Sequence, residues 1–486
     1  MPQNEMDLSL GDALRPFTAL AQIAFAEVSG QLHKYVNNPT ALGSYAEAPV
    51  KRAREAINYF THAQGWERPD YSGYGNESTA VISGGTSRAF HLLLKTIQDA
   101  FEREKIAHGQ IARPVMIMPV PTYGYFLTLP EKYGIEVVPV YRDIKDNGKL
   151  DINEVAEAVQ HCHRQGKFIV GYYDCTPHNP LGFIRSEEET QEIGALFERL
   201  RYHYHGRNGI MMSGSHLSEN PVFRCMPLLI DDQVYRGLQY DRDAQIPSFA
   251  GLSSPIGKSL YDQTVTLLGP SKAGLSGLRS GVMTGNAHLI KDVNELQRLE
   301  CYFQDPLMLK ATEHFFHPDS PHAGKVRSFL SRLNSDHRIR GHLMKALFNG
   351  METMDELSGQ DRDRLVRLTA RAKNIVTEDA VKILEGGVSG VNVITTPQAG
   401  FFHVLELTDP QEDENECTLM DRVTRNYGLS YVPLTWTGYG PAKEASADGT
   451  FHDPSPYFAR VTFAVPFSKL FKLGEAFHAE QLPQLR

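Results

Sequence analysis

Cysteine is scarce in this sequence, and what there is does not cluster. Five cysteines (Cys162, Cys175, Cys225, Cys301 and Cys417) are spread over 486 residues without a CxxC pair. An odd, scattered set argues against a disulfide framework and for free thiols in a reducing compartment, the cytoplasm. Positive charge is not in excess either: 49 Lys and Arg stand against 58 Asp and Glu, a net charge of −9 at pH 7. Neither nucleic acid nor an anionic membrane surface is the expected partner of such a chain. No apolar run approaches the length of a membrane span. The opening residues MPQNEMDLSLGDALRPF hold no basic start followed by an apolar stretch, so no secretion signal is expected. The sequence shows no repeat and no low-complexity tract. What is there is 41% hydrophobic and 22% charged, ordinary for a soluble globular protein and too long for one simple core.

Short β-branched runs alternate with helical patterns. Residues 81–82, 115–120, 135–141, 168–173, 228–230 and 263–268 read as strands. Residues 49–60 and 151–161 read as helices, and Ser186 with Glu189 forms a capping box that opens another. This alternation predicts a mostly parallel sheet with helices on both faces. Residues 202–226 have weak periodicity and many turn formers, and are expected to be an insertion loop, a candidate lid. Beyond 283 the chain turns helical, with amphipathic patterns at 294–303 and 308–316. A single long helix is expected over 364–385, stopped by Gly386-Gly387. Residues 391–394, 400–407 and 457–464 read as further strands, and Asp7 to Leu10 as a short one leading into a turn at Gly11-Asp12.

Polar residues gather where these strands end. Strand 263–268 runs into Gly269-Pro270-Ser271-Lys272, and Arg279 follows seven positions after the lysine. A half-buried lysine amine can form a Schiff base with an aldehyde. An arginine can grip a phosphate by a two-pronged hydrogen bond. An aldehyde and a phosphate on one ligand describe pyridoxal phosphate; a surface loop with two ordinary basic residues is the plain alternative. Ser83-Gly84-Gly85-Thr86-Ser87 joins a strand to a helix, so Gly85, Thr86 and Ser87 form either a phosphate cradle or a simple helix cap. Tyr123 follows strand 115–120 and fits either a ring-stacking or a core role. Asn179, in His178-Asn179-Pro180, is a ring-oxygen donor or a turn starter. Asp231 and Asp232 end strand 228–230. A buried carboxylate needs a cation, and a protonated pyridine nitrogen would be one; a helix cap or a metal ligand are the other readings. No further acid or histidine stands at metal-like spacing, so no metal is expected. Arg460, among apolar neighbours in strand 457–464, is expected to face a buried anion.

Taken in order, these motifs resemble the fold-type I pyridoxal-phosphate enzymes, specifically the class I and II aminotransferases related to aspartate aminotransferase, over nearly the whole chain. The resemblance implies an α/β fold: a mostly parallel, seven-stranded-type sheet sandwiched by helices, with a smaller α+β domain. It implies a large cofactor-binding domain at 46–345 and a small domain made of 1–45 and 346–486. Ser83-Gly84-Gly85-Thr86 resembles the phosphate-binding turn, Tyr123 the residue that stacks on the cofactor ring, and Asn179 the contact to the ring oxygen. Asp232-Gln233-Val234-Tyr235 resembles the family's Asp-x-x-Tyr, giving Asp232 to the pyridine nitrogen and Tyr235 to the ring oxygen. Ser271-Lys272 resembles the Schiff-base segment and Arg279 the phosphate arginine. Arg460 and Asn179 fall where the substrate carboxylate is held, Gly11 where an N-terminal glycine touches substrate, and Tyr45 where a tyrosine is lent to the neighbouring subunit of a homodimer. The implied reaction moves an amino group between an amino acid and a 2-oxo acid, with Lys272 as the catalytic acid and base. A lyase, decarboxylase or oxidase reaction on the same cofactor is the alternative. Three departures stand out. The family usually places its arginine eight positions after the lysine, not seven; Gly269 stands where Ser or Thr is common; and Leu181 stands where Thr is usual.

Overall fold

The computed structural model describes residues 6–7, 15–36, 41–66, 77–108, 112–205, 221–253, 259–301, 304–388, 390–407, 429–439 and 457–480. In chain order, β1 (Met6–Asp7), α1 (Thr18–Val36) and α2 (Ala41–Ala63) precede β2 (Thr79–Ser83) and α3 (Thr86–His108). Then come β3 (Pro114–Val120), α4 (Gly124–Thr128), β4 (Glu136–Asp143), β5 (Lys149–Leu150), α5 (Ile152–Arg164) and β6 (Phe168–Cys175). They are followed by α6 (Glu187–His205), α7 (Pro221–Cys225), β7 (Leu228–Asp232), β8 (Thr264–Leu268) and β9 (Ser280–Thr284). Five helices follow: α8 (Ala287–Glu300), α9 (Pro306–Phe316), α10 (Ala323–Asn349), α11 (Gly359–Lys373) and α12 (Thr377–Glu385). The last elements are β10 (Val391–Val393), β11 (Phe402–Leu407), β12 (Leu429–Ser430), β13 (Val432–Pro433), β14 (Tyr457–Thr462) and α13 (Phe467–Glu480).

Eight strands form the large sheet in the order β2-β9-β8-β7-β6-β3-β4-β5. It is the expected seven-stranded type with the two-residue β5 added at one edge. Strands β8, β7, β6, β3 and β4 run parallel, while β9 is antiparallel to both of its neighbours. The buried, β-branched runs that suggested strands are these central strands; β6, β7, β8 and β9 are buried along their whole length. Connections leave β3 toward β4 on one side and β6 toward β7 and β8 on the other. The strand order therefore reverses between β3 and β6, where a crevice opens beyond the carboxyl ends. On one face α3 sends Phe90 to stack on Phe126 at 4.5 Å and to meet Tyr173 at 5.4 Å. On the other, α6 packs Phe197 against Tyr172 at 5.3 Å. Each such side chain, fully buried, contributes roughly 1.5–3 kcal/mol.

A second, antiparallel sheet, β10-β11-β14-β13, forms its own core with α10, α11 and α12. Tyr235 and Cys175 from the large sheet's crevice belong to that same core, so the small sheet closes one wall of the crevice. Two expectations are corrected here. The helix expected over 364–385 is two helices, because Asn374 adopts the left-handed conformation (φ 55°) and its N–H turns back to the Ala370 carbonyl. The loop expected from 202 instead begins as helix, since α6 continues to His205, and it ends in α7, where Val222 and Phe223 are buried. Residues 206–220 lie outside the described residues. Of the expected capping box the Ser186 half is present, the Glu189 N–H donating to Ser186 Oγ at 3.0 Å, while Glu189 Oε1 accepts from Arg142.

Candidate active site

The site is built from strand ends. Beyond β8, Gly269 and Pro270 lead into one tight turn, Ser271–Ala273, which places Lys272 past the carboxyl end of that strand. Two glycines make the turn possible. A Cβ on Gly269 would lie 3.0 Å from the Ser280 carbonyl oxygen, which explains the missing Ser or Thr at that position. Gly274 has φ +86°, and its Cβ would lie 2.6 Å from the Arg15 carbonyl. Phe17 N–H donates to the Gly274 carbonyl at 2.7 Å, so the chain leading into α1 lies directly on this loop.

Arg279 closes the loop in the left-handed region (φ 50°). Its carbonyl accepts from Gly84 N–H at 2.7 Å, and its Nη2 donates to the Gly84 carbonyl at 3.1 Å. A Cβ on Gly281 would come within 2.5 Å of the Gly85 carbonyl, so this close approach requires glycine. Gly84 and Gly85 therefore meet Arg279 just before Thr86 and Ser87 open the 23-residue α3. The first N–H groups of a helix have no acceptor within it and carry partial positive charge. Ser271 is buried at the base of the neighbouring turn.

β7 ends at Asp232, which is buried. Its Oδ2 accepts from Tyr173 Oη at 2.8 Å and its Oδ1 from Val234 N–H at 3.2 Å. Burial pushes the Asp232 carboxyl up to about 6, against the hydrogen bonds and the nearby Lys272, which hold it down. Lys272 Nζ lies 5.9 Å from the Tyr235 ring centroid. Tyr235 Oη accepts from Asn179 Nδ2 at 3.2 Å, and Asn179 Oδ1 accepts from Arg460 Nη1 at 3.3 Å. Arg460 sits on β14, opposite Val404 and Val432, with its guanidinium 4.5 Å from the Phe402 ring centroid. Burial lowers its pKa from the usual arginine value, while Tyr235 and Tyr123 raise it. Tyr123, 42% exposed at the start of α4, faces the same cleft. Lys272, Asp232, Tyr235, Asn179, Arg460 and Tyr123 thus share one pocket, with the Gly85–Ser87 cradle and Arg279 adjoining it through the Lys272 loop. Gly11 lies outside the described residues. Tyr45 lies within α2 rather than before a helix, and its side chain lies outside the described residues.

Two features went unseen in the sequence. One is Tyr173, the hydroxyl donor to Asp232. Cys175 pairs with Asp232 in the parallel register, and Tyr173, two residues earlier, shares its face, so β-strand alternation was the available signal. The other lies on the reverse face. Arg142 Nη2 reaches Asp174 at 2.8 Å and Glu189 at 2.7 Å. Arg185 reaches Asp174 and Asp231 at 3.0 Å each. Although burial alone would raise it, Arg142 and Arg185 hold the Asp174 carboxyl below its ordinary value. Asp231 belongs to this structural network, and it also accepts from Phe249 N–H at the start of a short helical turn.

The family described as aminotransferase class I and II matches residues 60–204. A probable aminotransferase of Arabidopsis thaliana is 23% identical over 210 residues, covering 42% of this chain and 34% of that protein. A 1-aminocyclopropane-1-carboxylate synthase-like protein of Homo sapiens is 28% identical over 134 residues, 26% of this chain and 24% of its own length. A probable N-acetyl-LL-diaminopimelate aminotransferase of Bacillus subtilis is 27% identical over 222 residues, 45% and 43% of the two lengths. The chain thus spans less than half the length of these curated relatives. Among solved structures, aspartate aminotransferase of Thermus thermophilus with maleate superposes at TM-score 0.64 and 15% identity, over 98% of this chain and 91% of that one. The aromatic aminotransferase of Pyrococcus horikoshii gives 0.63 and 14%, over 99% and 97%. At such identities the superpositions establish the fold.

Proposed function

We propose, from a chain whose residues 60–204 are class I and II aminotransferase sequence and whose fold is that of the aspartate aminotransferases, that this protein is a pyridoxal-phosphate-dependent aminotransferase. It would move an amino group from an amino acid to a 2-oxo acid. The observation that carries the reading is the meeting of Lys272, Asp232, Tyr235, Asn179 and Arg460 in one crevice beyond the parallel strands.

The residues present suit the cofactor. Asp232 is buried with only neutral hydrogen-bond donors, and a protonated pyridine nitrogen supplies the cation that such a carboxylate requires. The start of α3 with Arg279 and Ser271 suits a phosphate. Lys272 Nζ would hold the aldehyde carbon, Tyr235 and Asn179 the ring oxygen, and Tyr123 the ring face. Bound there, the cofactor supplies an electron sink for the bonds at the substrate Cα. The protein does the rest. Arg460 pairs with the substrate carboxylate, aimed by its bond to Asn179 Oδ1. Lys272 Nζ would take the Cα proton and return it as general acid. Asp232 would hold the proton on the ring nitrogen, and Tyr173 orients Asp232.

The working unit in this reading is a homodimer in the cytoplasm, with Gly11 and Tyr45 completing the substrate pocket, Tyr45 from the neighbouring subunit. Exposed Phe25 on α1 and Tyr59 on α2 support an association surface on these helices. Among the described residues Cys162, Cys175, Cys225 and Cys301 are free thiols, which fits a reducing compartment, and no described helix is long and apolar enough to cross a membrane. The domains in this reading are 46–345 and 1–45 with 346–486; the separate cores of the two sheets support setting 346–486 apart from the large domain, with α10 spanning the boundary, while Phe17 and Leu20 of the N-terminal part pack with Leu275 and Val326. A lyase-type reaction is the second reading, favoured by the relative named for 1-aminocyclopropane-1-carboxylate synthase.

The test is a panel of single amino acids given to the loaded enzyme with and without a 2-oxo acid, with products read by mass spectrometry. Conversion that requires the 2-oxo acid and yields its matching amino acid supports transfer. Ammonia released without any acceptor overturns it in favour of elimination or oxidation.

A further inference from the structure

Away from the crevice, three donors far apart in sequence converge. Glu27 on α1, His314 on α9 and His322, just before α10, bring their ligand atoms within 4.8 Å of one another. Glu27 Oε1 lies 3.1 Å from His314 Nε2 and 3.5 Å from His322 Nε2. A tetrahedral ion bound at about 2.0–2.2 Å sets neighbouring donors about 3.4 Å apart, between these two distances. The two imidazoles stand nearly perpendicular, at 83° with centroids 4.7 Å apart, as rings that converge on one point rather than stack. His314 is buried, and its other nitrogen, Nδ1, lies 3.2 Å from Ser320 Oγ. That contact fixes the ring so that Nε2 faces Glu27, the arrangement that outer partners give metal-bound histidines. His322 Nδ1 is buried without a hydrogen-bond partner among the described residues.

We propose that Glu27, His314 and His322 bind a divalent transition metal of the zinc class, with water in the fourth position. Two imidazoles and a carboxylate are the donor set such ions favour over magnesium or calcium. Lys310 Nζ holds the other carboxylate oxygen of Glu27 at 3.1 Å and Glu313 at 2.9 Å. It restricts Glu27 to one ligating oxygen, and its charge makes the site weaker than a closed structural zinc site. The ion would pin α1 to α9 and to the start of α10. The chain entering α1 rests on Gly274, two residues from Lys272, and Phe17 stacks on Phe329 of α10 at 4.1 Å. Metal binding would therefore steady the segment that covers the Lys272 loop. The site stands independently of the aminotransferase reading.

The experiment titrates the chelator-stripped full chain with Co²⁺ alone and follows the visible absorption of tetrahedral cobalt, then displaces it with Zn²⁺. One Co²⁺ per chain is expected, with binding at least tenfold weaker in Glu27→Gln and His314→Gln. Ser320→Ala, which removes the outer partner of His314 and the acceptor of the His322 backbone N–H, weakens it by about tenfold. Should His314→Gln fail to fold, His322→Asn at the less buried histidine is read in its place. Absence of saturable binding, or binding left unchanged by these substitutions, overturns the proposal.

Discussion

Asp231 and Asp232 are consecutive residues of one strand, both buried, and they live in opposite worlds. Alternation along β7 turns them to opposite faces of the sheet. Asp231 accepts from Arg185 Nη2 at 3.0 Å, Ser248 Oγ at 2.7 Å, Gln233 Nε2 at 2.7 Å and Phe249 N–H at 3.3 Å. Asp232 accepts from Tyr173 Oη and Val234 N–H, neither of them charged, with the Lys272 charge nearby. On the reverse face the protein neutralises its own buried charge. On the crevice face it leaves a carboxylate whose pKa is pushed up to about 6. The first arrangement stabilises the fold; the second holds a site ready for a cation from outside, at a cost to the empty protein.

The largest break in this contrast comes from Arg185→Met, which takes the guanidinium from Asp231 and leaves Asp174 with Arg142 alone. It should cost about 3–5 kcal/mol of unfolding free energy in urea titrations. Next is pH. Burial holds His178, His337 and His403 each at about 3. The fold keeps them neutral while the unfolded chain protonates near the ordinary histidine value, so their contribution is lost as pH falls from about 6.5 toward 3. Asp232 has the opposite sign, since its raised pKa favours the fold as pH drops from about 6 to 4. Three groups outweigh one, and urea unfolding at pH 5 against pH 7.5 should show a net loss on the order of 4 kcal/mol. Third, at pH 8 Asp232→Asn should stabilise the cofactor-free protein by about 2 kcal/mol, because it removes an ionised carboxylate from a site that disfavours it. Asp231→Asn should destabilise it. The same sign for both would erase the contrast between the faces. The smallest effect is Tyr173→Phe. Losing one hydrogen bond is worth about 1 kcal/mol. It raises the Asp232 pKa further and should lower kcat about tenfold at unchanged KM in steady-state assays.

The parts legible in the sequence were those encoded locally. Buried β-branched runs announced the central strands, and Lys272, Asn179 and Asp232 could be found because crevice residues follow strand ends. The tightness of the Lys272–Arg279 loop was likewise visible in the seven-residue spacing of its two basic residues. What stayed hidden depends on tertiary pairing. The Asn374 kink breaks a helical pattern that hydrophobic spacing alone carries through. Tyr173 and the Arg142–Asp174–Arg185–Asp231 network acquire meaning only when β6 and β7 lie in register. Glu27, His314 and His322 meet only through the packing of α1 on α9.

The measurement that bears most directly on the central claim is the absorption spectrum of the protein reconstituted with pyridoxal phosphate, beside that of Lys272→Ala. The account predicts a visible band in the wild type that Lys272→Ala lacks, bleached by one amino acid and restored by a 2-oxo acid. A wild type without the band, or a variant that keeps it, would contradict it.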